Sequence, residues 1–376
     1  MRFLHPLGTL TWSASGAWNL NSALSALPTE RNGTPLRARK ILFAISGTVE
    51  AAAGGAGLTA GDYAAILGAI RLKDRSGSQR VDTHGVVLRE IAAHSLGGGA
   101  GQTALDSAAV AAAAGATVGV QRLMIDFCPP MLDNPEDLAI PAARLRGGSL
   151  SGTFNPAAAF RHANDTITDA TVYVSVELET YPTAPDGAVK FRPGLDWTLI
   201  EEHVDTTVTS VPIAPGGLVA VMLVRHNQTT RGVALIALAA GDLDTVNLKT
   251  DGDLVLEDAT DEELLALFDS RYARDGQGAG SIDGGDVVYS LPVLWPPPKA
   301  RVRDFLEGNH ALKISGDGGV NTWVVLRYEL QTAASAARAK SQAAPGSSAT
   351  ARAAEGDPRL SSRIGPNFSI TAVKGT

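Results

Sequence analysis

Cysteine is nearly absent: Cys128 is the only one in 376 residues. A single thiol closes no internal disulfide, so oxidative cross-links play no part in this fold. Cys128 stands between Phe127 and Pro129 in an apolar run and reads as a small buried hydrophobe. A catalytic thiol would need a nearby base and some exposure. Charge is also scarce, with 19% charged residues and a net charge of −7. Phosphate neutralisation requires clustered Lys and Arg. The densest basic group, Arg37, Arg39 and Lys40 with Arg31 nearby, reads as the flank of a strand, and no specific nucleic-acid binding is expected. Aromatics make up 5%, too few for the stacking platforms that usually line a sugar-cleaving cleft. No apolar run approaches the roughly 18 residues of a membrane span. Gly232–Ala240 reads instead as a buried strand. Pro6 and Gly8 interrupt the N-terminal apolar residues, so no secretory leader is expected and synthesis is expected in the cytoplasm.

The motifs of catalysis and metal binding are missing as well. None of the seven histidines (5, 84, 94, 162, 203, 226 and 310) pairs with another at zinc-ligand spacing. Gly97-Gly98-Gly99-Ala100-Gly101 lacks the Lys-Ser/Thr of a phosphate loop and the context of a dinucleotide fold. There is no Gly-x-Ser-x-Gly elbow. Carboxylates gather over residues 242–261, but Asp251-Gly252-Asp253 is out of register with a calcium loop and reads as a solvated turn. No catalytic residue, cofactor or metal ligand is therefore assigned, and the chain is expected not to be an enzyme.

What the sequence does hold is strand signal. Lys40–Val49, Thr171–Glu179, Leu218–Val224 and Thr322–Leu330 are rich in β-branched and apolar residues. Gly, Pro, Asn and Asp punctuate them at short intervals, as in sandwiches and barrels. Helical signal is thin. Thr260 with Glu263 forms a capping box before the apolar positions 264, 265, 267 and 268. Val86–Ala93 is a weaker candidate, and Ala104–Ala114 is ambiguous.

Elements also recur in a fixed order, as a tandem duplication requires. Ile41–Ile45 returns as Val219–Leu223. Ile70-Arg71-Leu72-Lys73 returns as Val246-Asn247-Leu248-Lys249. Helix positions Leu88 and Ile91 match Leu264 and Leu267. Ile125–Pro130 matches Pro292–Pro297, Arg146–Leu150 matches Leu306–Leu312, and Tyr173–Thr180 matches Trp323–Leu330. The spacing between copies falls steadily from 178 residues (41 to 219) to 150 (173 to 323), so the second copy has shorter loops. The Pro- and Gly-rich stretch from Pro182 to Gly194 separates the copies. The expected division is an N-terminal arm and entry strand at 1–36, a first sandwich at 37–182, a linker at 183–196, a second sandwich at 197–331 and a low-complexity C-terminal arm at 332–376. The tail has too little apolar content to order itself. Its backbone costs about 1–2 kcal/mol per residue to fix, which only contacts made on assembly can offset.

In this duplicated all-β plan, from Lys40 to Leu330, the chain resembles the double jelly-roll major capsid proteins of tailless, membrane-containing icosahedral bacteriophages and adenovirus. The Ile70–Ala93 block and Ile140–Leu150 carry the resemblance most specifically. It is architectural, so no functional residue is carried over. It implies two tandem eight-stranded jelly-roll β-sandwiches with short loop helices and extended terminal arms. It implies a homotrimer of pseudo-hexagonal outline tiling an icosahedral shell, a place in the virion, and as partners the chain itself, neighbouring capsomers, minor capsid proteins and an inner membrane. The candidate assembly residues are Phe3, Leu4, Trp12 and Trp18 in the first arm and Phe368 and Ile370 in the last. Two rivals stay open: another virion or surface structural β-protein, and a tandem-sandwich carbohydrate-binding or -cleaving protein.

Overall fold

The computed structural model describes residues 1–51, 60–89, 115–128, 139–159, 165–182, 196–204, 210–213, 217–227, 243–250, 253–259, 288–291, 310–316 and 321–331. The first copy holds β1 (Arg2–Thr11), β2 (Ala17–Asn19), helix α1 (Asn21–Ser25), β3 (Glu30–Arg31), β4 (Thr34–Ala51), α2 (Ala60–Ala65), β5 (Leu67–Lys73), β6 (Gln79–His84), β7 (Gly115–Asp126), β8 (Ile140–Pro141), α3 (Ala142–Leu145), β9 (Ser149–Phe154) and β10 (Asp165–Thr180). The second holds β11 (Asp196–Val204), β12 (Ser210–Ile213), β13 (Gly217–Asn227), β14 (Leu243–Thr250), β15 (Asp253–Ala259), β16 (Val288–Leu291), β17 (His310–Gly316) and β18 (Asn321–Gln331).

Alternation explains why these segments are strands. Along β10, Ala170, Val172, Val174, Val176 and Leu178 are buried while Tyr173 between them is exposed. Successive side chains in a strand point to opposite faces, so a period of two gives one apolar face. Ile41, Phe43 and Ile45 do the same on β4. The two strands pair antiparallel from Asp165 opposite Ala51 to Thr180 opposite Leu36. Tight chain reversals use the expected residues: Asn32 and Gly33 between β3 and β4 both have positive φ, as a two-residue hairpin turn requires. The helical signal at Val86–Ala93 appears as a helical segment over 85–89, and its remainder lies outside the described residues. So do the signals at Ala104–Ala114, Gly232–Ala240 and 260–268.

Strand order within the copies is the same. In the first, β1-β10-β4-β7 form one sheet and β2-β9-β5-β6 belong to another. In the second, β11-β18-β13-β16 and β12-β17-β14-β15 repeat that order strand for strand. The recurring segments noted in the sequence fall on corresponding strands: β4 and β13, β5 and β14, β9 and β17, β10 and β18. The remaining match, Pro292–Pro297, lies outside the described residues.

The N-terminal stretch departs from expectation. Residues 1–36 were expected to be an arm with an entry strand. Instead β1 pairs along its length with β10, from Arg2 opposite Glu179 to Thr11 opposite Thr171. Leu7, Leu10, Trp18, Leu20, Leu24 and Leu27 lie buried in the core. The first sandwich therefore begins at Arg2 and not at residue 37. The physical reason is area: six large apolar side chains gain about 1.5–3 kcal/mol each on burial, more than an exposed arm would recover.

Candidate functional site

The chain joins its two sandwiches through a single continuous sheet. β6, at the edge of the first sandwich, pairs with β11, at the edge of the second, giving the order β16-β13-β18-β11-β6-β5-β9-β2. The contact is parallel and short, with Leu199 opposite Val81 and Ile200 opposite Asp82. Parallel strands so far apart in sequence gain no help from a tight turn, so side chains must hold the register.

Glu201 does this. Its side chain is 4% exposed. One carboxylate oxygen accepts the backbone N–H of His84 at 2.7 Å and the hydroxyl of Thr83. The other lies 2.8 Å from Nδ1 of His84. Three donors from one strand thus converge on one carboxylate of the other, and charge-assisted bonds of this kind are the strong ones. Local sequence offered no signal for it, because Glu201 and His84 are 117 residues apart.

Two further buried ion clusters brace the first sandwich. Glu179 on β10 accepts from Arg2 at 2.9 Å, Arg37 at 2.8 Å and Arg39 at 2.9 Å. Burial by itself would raise its pKa, but the hydrogen bonds from Arg2 and Arg39 and the charges of Arg37 and Arg39 outweigh burial and hold it down at about 2. The basic residues read from sequence as a strand flank are therefore largely internal counter-ions; Lys40 likewise reaches Asp126 at 3.2 Å. In the β5–β6 hairpin, Asp74 accepts from Ser76, from the Ser78 backbone and from Arg80. Burial opposes ionisation there too, and the hydrogen bonds and Arg80 prevail, lowering the Asp74 pKa. A cleft of about 450 Å³ lined by Asp74, Arg75, Ser76, Ala143 and Arg144 opens beside it.

The candidate assembly residues scatter. Trp18 is 6% exposed and meets the rings of Phe43 and Phe154 at centroid distances of 6.4 Å. Phe3 and Trp12 pack against the core, and Trp12 Nε1 donates to the carbonyl of Asn155 at 3.0 Å. Trp12 and Trp18 are therefore intramolecular packing residues, not arm anchors. Leu4 stands apart at 59% exposed. Phe368 and Ile370 lie outside the described residues. Cys128 is buried, as expected, and burial pushes its thiol up to about 12. Among the described residues no group of His, Cys, Asp and Glu is arranged to hold a metal ion, and no helix is long and apolar enough to cross a membrane.

Two copies of one strand order, each made of two four-strand sets, decide the architecture. The chain is a double jelly roll. Solved structures of this fold overlay most of it. The major capsid protein of STIV matches at 14% identity with a TM-score of 0.52, covering 88% of this chain and 97% of its own. A second structure from Sulfolobus Turreted Icosahedral Virus matches at 12% identity and a TM-score of 0.55, covering 90% and 96%. VP54 of PBCV-1 matches at 10% identity and 0.54, covering 88% and 93%. No protein-family model and no curated protein matches the sequence. In this double jelly roll the joint between the sandwiches is the short β6–β11 pairing held by Glu201.

Proposed function

We propose that the chain is a viral major capsid protein, a structural and non-enzymatic subunit that assembles into an icosahedral shell. The observation that carries this reading is the edge-to-edge fusion of two sandwiches with one strand order, in a chain that spans 93–97% of the capsid structures it overlays. A rigid pair of similar sandwiches offers each neighbour two similar faces, so three subunits build a nearly hexagonal block. Such blocks tile a closed surface by repeating a few contacts. Residues 332–376 act as an arm that orders on neighbouring subunits, and Phe368 and Ile370 are its apolar anchors. Further partners of the assembled blocks are minor capsid proteins and an inner membrane. The subunit is made in the host cytoplasm and resides in the virion.

The test is the mass of the purified protein by light scattering, with negative-stain images of the same sample. Trimers of hexagonal outline or closed shells are expected. A stable monomer at high concentration would overturn the reading.

A further inference from the structure

The internal joint can be used twice. β11 opens the second copy as β1 opens the first, and each pairs on its inner side with the last strand of its own copy, β18 or β10. The outer edge of β11 is taken by β6. Among the described residues, the outer edge of β1 carries no strand, and neither does that of β15, the counterpart of β6. Within one chain the duplication thus makes the contact once and leaves one of each half-contact at its ends.

Register extends this correspondence to residues. Matching Tyr173–Thr180 with Trp323–Leu330 aligns β10 with β18. Phe3, opposite Leu178, then takes the place of Leu199, opposite Tyr328. Leu4, opposite Glu177, takes the place of Ile200, opposite Arg327. On the other side, Val81 pairs with Leu72 of β5, and Leu256 pairs with the matching Leu248 of β14. Leu256 and Glu257 therefore occupy the places of Val81 and Asp82.

We propose that β1 of one subunit pairs in parallel with β15 of a second copy, Phe3 beside Leu256 and Leu4 beside Glu257, repeating between subunits the β6–β11 contact made within each. The proposal rests on the capsid reading above and names the strands that join its trimer.

Three observations favour this occupant. Met1 and Leu4, at 71% and 59% exposed, are two of the three large apolar side chains the described surface leaves uncovered, and both sit at this edge. β15 carries Asp253, Glu257 and Asp258, while β1 has no carboxylate of its own, so the pairing sets no like charges of the two strands against each other. Pro6 follows directly after His5. A proline lacks the N–H that a ladder needs, so it limits the pairing to a few residues, as short as the internal joint, and guards the edge against longer association. The contact joins unlike edges, so it propagates head to tail and closes as a ring when its rotation does.

The test is site-directed cross-linking of the full chain carrying L4C and E257C. Cys128 is buried and its thiol is raised to about 12, so it contributes little background. Mild oxidation is expected to give a ladder of covalent dimer and trimer on a non-reducing denaturing gel. T9C with E257C is the control. Thr9 lies five residues along β1, about 16 Å away at strand rise, and no ladder is expected from it. Light scattering of each variant reports the assembly separately. Trimers that fail to cross-link through L4C/E257C, or that cross-link equally through T9C/E257C, overturn the β1–β15 joint and leave the capsid reading standing. A wild-type chain that stays monomeric overturns both.

Discussion

Replacing Glu201 by alanine probes how far a single carboxylate couples the two sandwiches. The substitution removes the acceptor shared by the Thr83 hydroxyl, the His84 N–H and the His84 ring. Thr83 is 1% exposed, so its hydroxyl loses its partner where water cannot replace it. Leaving one buried group unsatisfied costs about 1–3 kcal/mol, toward the upper end where the lost partner was an ionised carboxylate. The His84 side chain is 22% exposed and regains some solvation, which places the loss near 3 kcal/mol. For sandwiches of this size about 1 kcal/mol shifts Tm by 2–4 °C, so a fall of about 6–12 °C is expected by calorimetry on unassembled subunits. His84→Ala serves as the second arm of a double-mutant cycle. The pair is expected to cost less than the sum of the singles by about 1–2 kcal/mol, because each alone already breaks the shared bond. Strict additivity, or a Glu201→Ala loss below about 1 kcal/mol, would refute the view that Glu201 holds the joint.

Other perturbations separate packing from assembly. Trp18→Ala should cost about 3–5 kcal/mol in chemical denaturation of the subunit; a free-arm residue would cost almost nothing. Gly152→Ala should destabilise by about 3 kcal/mol or block folding, because a Cβ there would lie 2.1 Å from the Ala69 carbonyl oxygen and 2.4 Å from the Trp18 ring; a stability unchanged by the methyl would contradict the close approach. The Glu179 cluster makes stability acid-sensitive. A carboxylate depressed from 4.5 to about 2 contributes in full above pH 4.5, and the contribution disappears as pH falls through about 2. After discounting for solvent near the half-exposed Arg2, this amounts to about 2 kcal/mol, and Glu179→Gln should flatten that limb of the stability-against-pH curve. Cys128 should resist thiol reagents at neutral pH in the folded subunit and react on unfolding, since its thiol is held near 12; fast labelling of the native protein would place it at the surface.

The division between what was legible in the sequence and what was not follows from range. Alternating apolar residues specify strands locally, because the period of two is a property of the strand itself. The order of matched segments announced the duplication, since two copies of one topology need the same elements in the same sequence. Composition was equally direct about the lone cysteine. The arm was misread for the same local reason. Phe3, Trp12 and Trp18 lie among glycine, proline and polar residues, and nothing near them in sequence shows that β9 and β10, more than 130 residues on, supply the partner strands. Arg37 and Arg39 looked like a solvated flank until Glu179 was placed between them. Tertiary structure alone decided the joint. The parallel contact of β6 with β11 is two residue pairs long, and the Glu201 latch spans 117 positions. Interactions so short and so distant leave no periodic trace in a sequence; they exist only once each sandwich has folded and presents its edge.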